Sequence, residues 1–267
     1  MRDTVLHRYL RIPYRLHVRV ARQVKKPQAT LLFLHGIGSS GAEWRDVIDR
    51  LPDSVSILSI DLLGFGESPR PEWAKYSAHE QARSIVATLL TFAPKQQLVI
   101  VGHSLGALVA VEIATRYPLL VRSLVLCSPP FYNPDRDGRL PNADRVLQTL
   151  FSQVELREED FVKLSRLATR YKLVNKAFNV TADNVASYIA TLKSSIMSQT
   201  AFDDVRYIDK PITIIYGSLD PLVIDRNLKT IAKANSRVTL ARILVGHEIM
   251  GRYVPAVVRE IMKQISH

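Results

Sequence analysis

One serine lies in a sequence pattern that favours nucleophilic catalysis. Ser104 is the central residue of Gly-His-Ser-Leu-Gly at 102–106, which follows the apolar run 98–101 and precedes an Ala-rich apolar segment. This order predicts a buried strand, a sharp turn that carries Ser104, and a helix. Gly102 and Gly106 leave room for strand and helix to approach each other, so we expect the hydroxyl to project into a cleft. The alternative is a serine that merely links two core elements.

Two further residues follow predicted strands later in the chain. Asp220 comes after the apolar run 211–217, and His247 comes after the run 238–245. In an open parallel sheet, the loops at the carboxyl ends of the strands gather along one edge, so these residues can meet Ser104. The order Ser, Asp, His is the one expected for a strand–turn–helix nucleophile.

Each of the three residue types supplies a step that acyl transfer needs. A serine hydroxyl is barely ionised at neutral pH, so its attack requires a base, and an imidazole such as that of His247 titrates in the right range. Asp220 is expected to fix the imidazole tautomer and stabilise the imidazolium. The backbone N–H groups of Ile37, in the glycine loop 35–41, and of Leu105, at a helix N-terminus, are the candidate donors to the oxyanion.

Other histidines and acids near the predicted cleft are interpreted as structural. His35 adjoins the glycine loop and His103 is expected to point away along its strand, so we assign both to packing or loop bracing. Asp61 begins a glycine-rich loop that its carboxylate can tie down through backbone N–H groups. Asp225 is the alternative acid, although capping of a predicted helix accounts for it. No pair of residues stands at metal-ligand spacing, so we expect neither a metal nor another cofactor.

The elements that must position these residues alternate between strand and helix. The strands are predicted at 29–34, 55–60, 98–101, 121–128, 211–217 and 238–245, with helices at 43–51, 77–92, after Ser104, at 228–234 and at 254–265. The helix at 77–92 begins with a capping pair, Ser77 and Glu80. We therefore predict an α/β fold with a mostly parallel, doubly wound sheet. Residues 4–24 alternate apolar and polar side chains, which predicts two short antiparallel strands at the sheet edge.

The alternation fails between residues 129 and 201. Three helices without intervening strands are predicted there, at 143–154, 158–173 and 182–198, the last with Thr181 as its N-cap. An insertion at the carboxyl edge of the sheet would roof the Ser104 cleft, so we expect an α/β core at 1–129 and 201–267 and a helical cap at 130–200. Residues that could line a pocket, or pack within the cap, are Phe131, Tyr132, Phe151, Tyr171, Tyr188 and Met197.

Composition fits a globular chain large enough to bury a substantial core. The 267 residues are 47% apolar, and no uninterrupted apolar run is long enough to cross a bilayer. The N-terminus lacks the apolar core of a signal peptide, and the single cysteine, Cys127, lies in a predicted buried strand. We therefore expect no membrane span, no internal disulfide and a cytoplasmic location.

The formal charge of +11 is spread along the whole chain. Its densest run is Arg8, Arg11, Arg15, Arg19, Arg22, Lys25 and Lys26. Because these cations alternate with apolar residues, we interpret the run as a solvated basic face, with attraction of anionic partners as the alternative. We expect a small-molecule substrate and no nucleic-acid partner, and the pattern predicts no oligomeric state.

Taken together, these motifs resemble those of the α/β-hydrolase fold family over nearly the whole chain. The matching residues are His35-Gly36-Ile37-Gly38, the run 61–68, Gly102-His103-Ser104-Leu105-Gly106, Gly217-Ser218-Leu219-Asp220 and Gly246-His247. The resemblance implies a triad of Ser104, Asp220 and His247, an oxyanion hole from Ile37 and Leu105, and a helical cap. Serine at position 104 argues against the dehalogenases and epoxide hydrolases of the family, which use aspartate.

Two serine branches of the family are similar to this chain. Carboxylesterases resemble it through Gly-His-Ser-Leu-Gly and the cap, and they imply cleavage of carboxylic esters with small to medium apolar acyl groups through an acyl-enzyme on Ser104. Carbon–carbon bond hydrolases acting on ring-fission diketone acids resemble it through the oxyanion loop, but they usually carry Gly-Arg-x-Asp where this chain has Ser218. Non-catalytic ligand-binding members keep the same residues and are the third possibility.

Overall fold

A seven-stranded sheet runs through the centre of the computed structural model, which describes residues 5–132 and 157–266. The strands are β1 (Val18–Arg22), β2 (Thr30–Leu34), β3 (Ser56–Ile60), β4 (Leu98–His103), β5 (Val121–Cys127), β6 (Ile212–Gly217) and β7 (Val238–Ile243). Their spatial order is β1-β3-β2-β4-β5-β6-β7. β1 is antiparallel to β3, and every other neighbouring pair is parallel. The predicted mostly parallel sheet is therefore confirmed.

Helices cover both faces of the sheet, as the uninterrupted apolar strands require. The helices are α1 (Arg45–Ile48), α2 (Ala78–Phe92), α3 (Leu105–Arg116), α4 (Glu158–Arg170), α5 (Val185–Thr191), α6 (Ala201–Asp204), α7 (Asp225–Ala234) and α8 (Tyr253–Ile265). Leu98 and Ile100 of β4 belong to the buried cluster that includes α2 and α3. Val99 and Val101 belong to the cluster that includes α1 and α8 on the opposite face.

Local sequence signals fix where α2 begins. The Ser77 hydroxyl accepts a hydrogen bond from the Glu80 backbone N–H at 3.2 Å, and the Glu80 carboxylate accepts one from the Ser77 N–H at 3.3 Å. This reciprocal pair satisfies two N–H groups that a helix start otherwise leaves unpaired, and it confirms the predicted capping pair.

The strand order reverses beside β2, which lies between β3 and β4. Leu34, the last residue of β2, pairs with Gly102 near the end of β4. The loop after β2 and the turn after β4 therefore lie side by side at the carboxyl edge of the sheet. In open α/β sheets this switch point is where ligands bind.

The prediction of an N-terminal hairpin was wrong. Val5–Tyr9 forms one short π-helical turn, and only β1 joins the sheet. The alternating pattern of the intervening residues reflects packing on α2 instead, since the Leu16 N–H donates to the Thr88 hydroxyl at 2.8 Å and the Leu16 side chain is buried.

Helices also occupy the stretch between β5 and β6, where the alternation was expected to fail. α4 ends at Arg170, three residues earlier than predicted, and α5 continues into a π-helical turn, Leu192–Met197. Thr181 is not the N-cap of α5, because the Asn184 carboxamide accepts from the Thr181 N–H at 2.8 Å and the helix begins only after Asn184. The predicted helix at 143–154 lies outside the described residues.

Candidate active site

Ser104 sits on a strained turn between β4 and α3. Its backbone has φ 50° and ψ −112°, a left-handed φ that a side-chain-bearing residue rarely adopts. A Cβ on Gly102 would lie 2.4 Å from the Gly106 carbonyl oxygen, and a Cβ on Gly106 would lie 2.2 Å from the Leu34 carbonyl oxygen. The two glycines are therefore required for the close approach of strand and helix that aims Ser104 outward.

Asp220 and His247 are joined by a hydrogen bond at the ends of β6 and β7. The His247 Nδ1 lies 2.8 Å from the Asp220 Oδ2, and the Leu222 N–H donates to the other carboxylate oxygen at 2.9 Å. Burial raises the pKa of Asp220, but the histidine and the Leu222 and Ser128 hydrogen bonds outweigh it, so the pKa lies below its ordinary value. The carboxylate is therefore ionised at neutral pH and orients the imidazole.

Ser104 and His247 line the same cavity. The His247 ring lies 4.9 Å, between ring centroids, from that of His103, the residue next to Ser104. Among the described residues no hydrogen bond joins the Ser104 hydroxyl to His247. Such contacts are often long in ligand-free enzymes and tighten when substrate binds.

Two backbone donors flank Ser104. Leu105 is the first residue of α3, and Ile37 lines the cavity in the loop after β2. Neither N–H donates to a group in residues 5–132 or 157–266. The loop lies close to Ser104, since a Cβ on Gly36 would be 3.5 Å from the Ser104 Cβ. Both N–H groups are thus available to a bound oxyanion.

A buried ion pair beneath this loop is the feature that sequence reasoning missed. The Glu43 carboxylate lies 2.6 Å from the His103 Nδ1, and both side chains are almost fully buried. The second oxygen of the Glu43 carboxylate accepts a hydrogen bond from the Gly36 N–H at 3.2 Å. The His103 Nε2 donates a hydrogen bond to the His247 carbonyl oxygen at 3.0 Å. The pair therefore ties three loops of the site together.

The pKa values of this pair are shifted in opposite directions. Burial alone would lower the pKa of His103, but Glu43 raises it to about 9. Burial would raise the pKa of Glu43, but the neighbouring His103 more than offsets this effect. The pKa of Glu43 therefore lies below its ordinary value. The pair is therefore charged at neutral pH. A glutamate at the start of a predicted helix gives no sequence signal that it turns inward.

His35 and Asp61 brace loops, as expected. The His35 Nε2 accepts from the Leu62 N–H at 2.9 Å, and its Nδ1 donates to the Gly36 carbonyl oxygen at 2.7 Å. Asp61 accepts from the N–H groups of Gly41 and Glu67 at 2.7 and 2.9 Å. These contacts use up the polar atoms of both side chains, so neither is free for catalysis.

Asp225 is not the partner of His247. It is the first residue of α7, and its carboxylate accepts a hydrogen bond of 2.6 Å from the Tyr216 hydroxyl and pairs with Lys229. Asp220 is therefore the acid that the structure brings to His247.

The cavity in front of Ser104 has a volume of about 200 Å³ and walls that are mostly apolar. Its apolar lining consists of Ile37, Pro130, Val174, Phe178, Tyr188, Leu192, Ile196 and Leu222. Of the five suggested pocket residues that the structure describes, only Tyr188 lies there. Phe131 and Tyr132 are buried in the core, Met197 packs against it, Tyr171 is 67% exposed, and Phe151 lies outside the described residues.

Hydrogen bonds fasten the segment between α4 and α5 to the site loops. The Asn179 N–H donates to the Gly38 carbonyl oxygen at 2.8 Å, beside the candidate oxyanion donor. The Asn175 N–H donates to the Glu248 carboxylate at 2.9 Å, next to His247. The segment that supplies Val174 and Phe178 is therefore positioned by the same loops that hold the polar residues.

Within the described residues, no cluster of three or more His, Cys, Asp or Glu side chains is suited to hold a metal ion. Cys127 is fully buried, and this burial raises the pKa of its thiol. No described helix combines the length and apolarity needed to span a membrane.

Comparison with known proteins identifies relatives of the chain. A family profile described as "alpha/beta hydrolase fold" matches residues 29–250. A 2-(acetamidomethylene)succinate hydrolase of Mesorhizobium japonicum is 31% identical over 207 residues, which cover 72% of each chain. The probable lysophospholipase BODYGUARD 2 of Arabidopsis thaliana is 28% identical over 53% of this chain. The match spans only 30% of that relative's length.

A solved structure shares the whole architecture. The crystal structure of E-2-(acetamidomethylene)succinate hydrolase superposes with a TM-score of 0.71 at 24% identity, covering 94% of this chain and 100% of the other. At this level of identity the likeness concerns the fold.

Proposed function

The chain belongs to the α/β-hydrolase fold family, and we propose that it is a serine hydrolase that cleaves carboxylic esters with small to medium apolar acyl groups. One observation carries the proposal. Ser104, on its strained turn, opens into the same apolar cavity as His247, which Asp220 holds by a 2.8 Å hydrogen bond. Nucleophile, base and orienting acid are the three parts that acyl transfer requires.

Acylation begins with attack of the Ser104 Oγ on the ester carbonyl carbon. The His247 Nε2 takes the hydroxyl proton, and the Asp220 carboxylate stabilises the imidazolium that forms. The negative charge that develops on the carbonyl oxygen accepts hydrogen bonds from the N–H groups of Ile37 and Leu105, at the positive end of the α3 dipole. His247 then gives its proton to the leaving alcohol, and an acyl group remains on Ser104.

Deacylation repeats these steps with water as the nucleophile. His247 removes a proton from the water as it attacks the acyl carbonyl, and the same two N–H groups hold the second oxyanion. Return of the proton to Ser104 frees the carboxylic acid and restores the enzyme.

The cavity supports an apolar acyl group of limited size. Its volume of about 200 Å³ is below the roughly 300–1,000 Å³ of sites for drug-sized ligands. We assign the roof of the cavity to a cap formed by residues 130–200, because Val174, Phe178, Tyr188 and Leu192 supply much of its apolar wall.

The same lining disfavours acidic substrates. Among the described lining residues there is no lysine or arginine, the charge of His103 is already paired with Glu43, and Glu248 adds a carboxylate at the wall. A succinate derivative, such as the substrate in the name of the bacterial relative, or a diketone acid would bring a carboxylate that these residues do not neutralise. An uncharged ester meets no such penalty.

A panel of p-nitrophenyl esters of increasing acyl length, with one ring-fission diketone acid, tests the proposal. We expect ester turnover that is highest for short to medium acyl chains, no cleavage of the diketone, and loss of turnover in Ser104→Ala. Cleavage of the diketone but of no ester would assign the site to carbon–carbon bonds. Absence of any turnover would indicate a binding protein.

A further inference from the structure

The N-terminal part of the chain has a strong excess of positive charge. Between Thr4 and Ala42 there is no aspartate or glutamate, while seven lysines and arginines lie in the same stretch. Two of these cations serve the fold, since Arg19 pairs with Asp61 and Arg22 with Asp53. Arg8, Arg11 and Arg15 are exposed and form no ion pair with a described residue. Their charge is therefore directed at solvent.

Large apolar side chains are exposed between these arginines. Four of the fourteen exposed large apolar residues in the described chain fall within eight positions. They are Val5, Tyr9, Leu10 and Ile12, which are 45%, 70%, 62% and 47% exposed. Scattered exposed apolar residues need no explanation, whereas a cluster marks an interaction surface. We call residues 5–15 the basic apolar segment.

Specific contacts hold the basic apolar segment on the protein surface. The His7 ring stacks on Tyr14 with centroids 3.7 Å apart, and the Leu10 N–H donates to the Val5 carbonyl oxygen at 3.0 Å. The Arg83 guanidinium of α2 donates to the Arg11 carbonyl oxygen at 2.8 Å, which adds a further cation beside the segment. The exposed side chains are thus presented from a defined backbone.

A cleft of about 420 Å³ opens beside the segment. Cationic side chains on its walls include Arg8, Arg11, Lys75 and Arg83. Glu80 is an acid on the same wall, and its carboxylate already accepts the hydrogen bond of the Ser77 N–H at the start of α2. The cleft therefore has the charge and volume to take an anionic headgroup.

We propose that the basic apolar segment is a docking surface for membranes that contain anionic lipids. Arginines attract the negative headgroups, while Tyr9, Leu10 and Ile12 can enter the boundary between headgroups and acyl chains. A nucleic acid would satisfy the arginines but would leave the aliphatic side chains in contact with water. The combination of both side-chain classes therefore favours a lipid surface.

Docking there would bring the carboxyl edge of the sheet, where Ser104 lies, toward the lipid. Leu63, which follows β3, and Ser77, at the start of α2, both line the cleft and lie at the carboxyl edge of the sheet, as Ser104 does. Docking at this surface depends on surface chemistry alone and does not require the proposed ester hydrolysis. Binding of Ser104→Ala protein is accordingly expected to equal that of wild type.

Flotation of the full chain with vesicles tests the surface. We expect binding to vesicles of phosphatidylcholine with 30 mol% phosphatidylglycerol, little binding to pure phosphatidylcholine, and weakening as NaCl is raised from 50 to 500 mM. Because one arginine near an anionic surface contributes a factor of about five, Arg8→Gln with Arg11→Gln is expected to weaken binding roughly 25-fold. The double variant Tyr9→Ser with Leu10→Ser is expected to reduce the part of the vesicle binding that remains at 500 mM NaCl.

Matched substitutions at the opposite edge of the sheet provide the controls. Arg50→Gln with Lys95→Gln removes the same charge, and Leu90→Ser with Leu119→Ser removes side chains that are 76% and 85% exposed. Both control variants are expected to bind like wild type. If vesicle binding weakens equally in the Arg8/Arg11 variant and in the Arg50/Lys95 control, binding depends on net charge and not on this surface, and the proposal is overturned. Absence of binding to anionic vesicles, or preference for a single-stranded oligonucleotide over them, would overturn it as well.

Discussion

At the scale of single residues, the roles of Asp220 and Asp225 can be separated. Asp220 bonds His247, whereas Asp225 bonds Tyr216 and Lys229. In Asp220→Asn the carboxamide can keep the backbone bond from Leu222 but no longer stabilises the imidazolium or fixes the correct tautomer. We predict a loss of kcat of about 10⁴-fold with a thermal unfolding midpoint close to wild type. Ester kinetics on Asp220→Asn and Asp225→Asn decide the matter, and a comparable loss in Asp225→Asn would contradict the assignment.

The buried Glu43–His103 pair makes stability depend on pH. The folded-state pKa of His103 is raised to about 9, so its contribution is fully present below its unfolded value near 6.5 and is lost as pH rises through about 9. The pKa of Glu43 is lowered, so its contribution is present above an unfolded value near 4.3 and is lost as pH falls. We predict that the urea-unfolding free energy of wild type declines between pH 6.5 and 9.5.

Breaking that pair gives a second, independent prediction. Glu43→Gln leaves His103 buried without its counter-charge, which is expected to cost about 3–5 kcal/mol of stability at pH 6.5 and to flatten the alkaline decline. Asp209→Asn, which breaks an exposed pair with Arg237, serves as control and is expected to leave the unfolding curve unchanged. A Glu43→Gln protein with wild-type stability at pH 6.5 would show that the pair contributes little to the fold.

At the scale of elements, the turn between β4 and α3 depends on glycine at two positions. A Cβ at Gly106 would lie 2.2 Å from the carbonyl oxygen of Leu34 in β2, and backbone cannot yield as a flexible side chain can. Gly106→Ala is therefore predicted to destabilise the protein by about 3 kcal/mol or more and to displace Ser104. Gly246→Ala is the matched control, because a Cβ there would meet no atom within 4 Å. Thermal unfolding midpoints that fall equally in both variants would contradict the argument.

Elements with strong local signals were the ones predicted correctly. The strands before Ser104 and Asp220 are continuous apolar runs, and the Ser77–Glu80 pair fixes the start of α2. The prediction of an N-terminal hairpin failed because Tyr14 and Leu16 bury their side chains in the core while their neighbours are polar, which produces the same alternating pattern as a strand. The prediction of Thr181 as an N-cap failed because the helix begins only after Asn184, whose carboxamide accepts the Thr181 N–H.

The site was predictable where residue type and strand end coincide. Ser104 and Asp220 follow the buried strands β4 and β6, and His247 follows the partly exposed edge strand β7, so the parallel topology brings all three to one edge. The inward-facing Glu43 and the cavity wall of Val174, Phe178, Leu192 and Ile196 were missed. The positions of these wall residues depend on how helices between β5 and β6 pack over the sheet, and such contacts leave no periodic signal in the sequence. Glu43 lies instead after β2, where the start of a predicted helix gives no sign that the side chain turns inward.

At the scale of the whole molecule, substrate choice is expected to follow the packing of the cap over the sheet. Ile196 is 2% exposed and faces the cavity, so Ile196→Ala enlarges the space available to an acyl chain. We predict that the ratio of kcat/KM for p-nitrophenyl octanoate over butanoate rises about tenfold. Leu167→Ala, on the half-exposed surface of α4, is expected to leave that ratio unchanged. An unchanged ratio in Ile196→Ala would remove this wall from acyl recognition.

The most direct test asks whether His247 activates Ser104. The protein is treated with a fluorophosphonate, and the adduct is followed by intact-mass spectrometry and located by peptide mapping. We predict one adduct on Ser104, none in Ser104→Ala, and labelling slowed by at least about 10³-fold in His247→Gln, which lacks the proposed general base. No adduct in wild type, or equal labelling rates in wild type and His247→Gln, would contradict it.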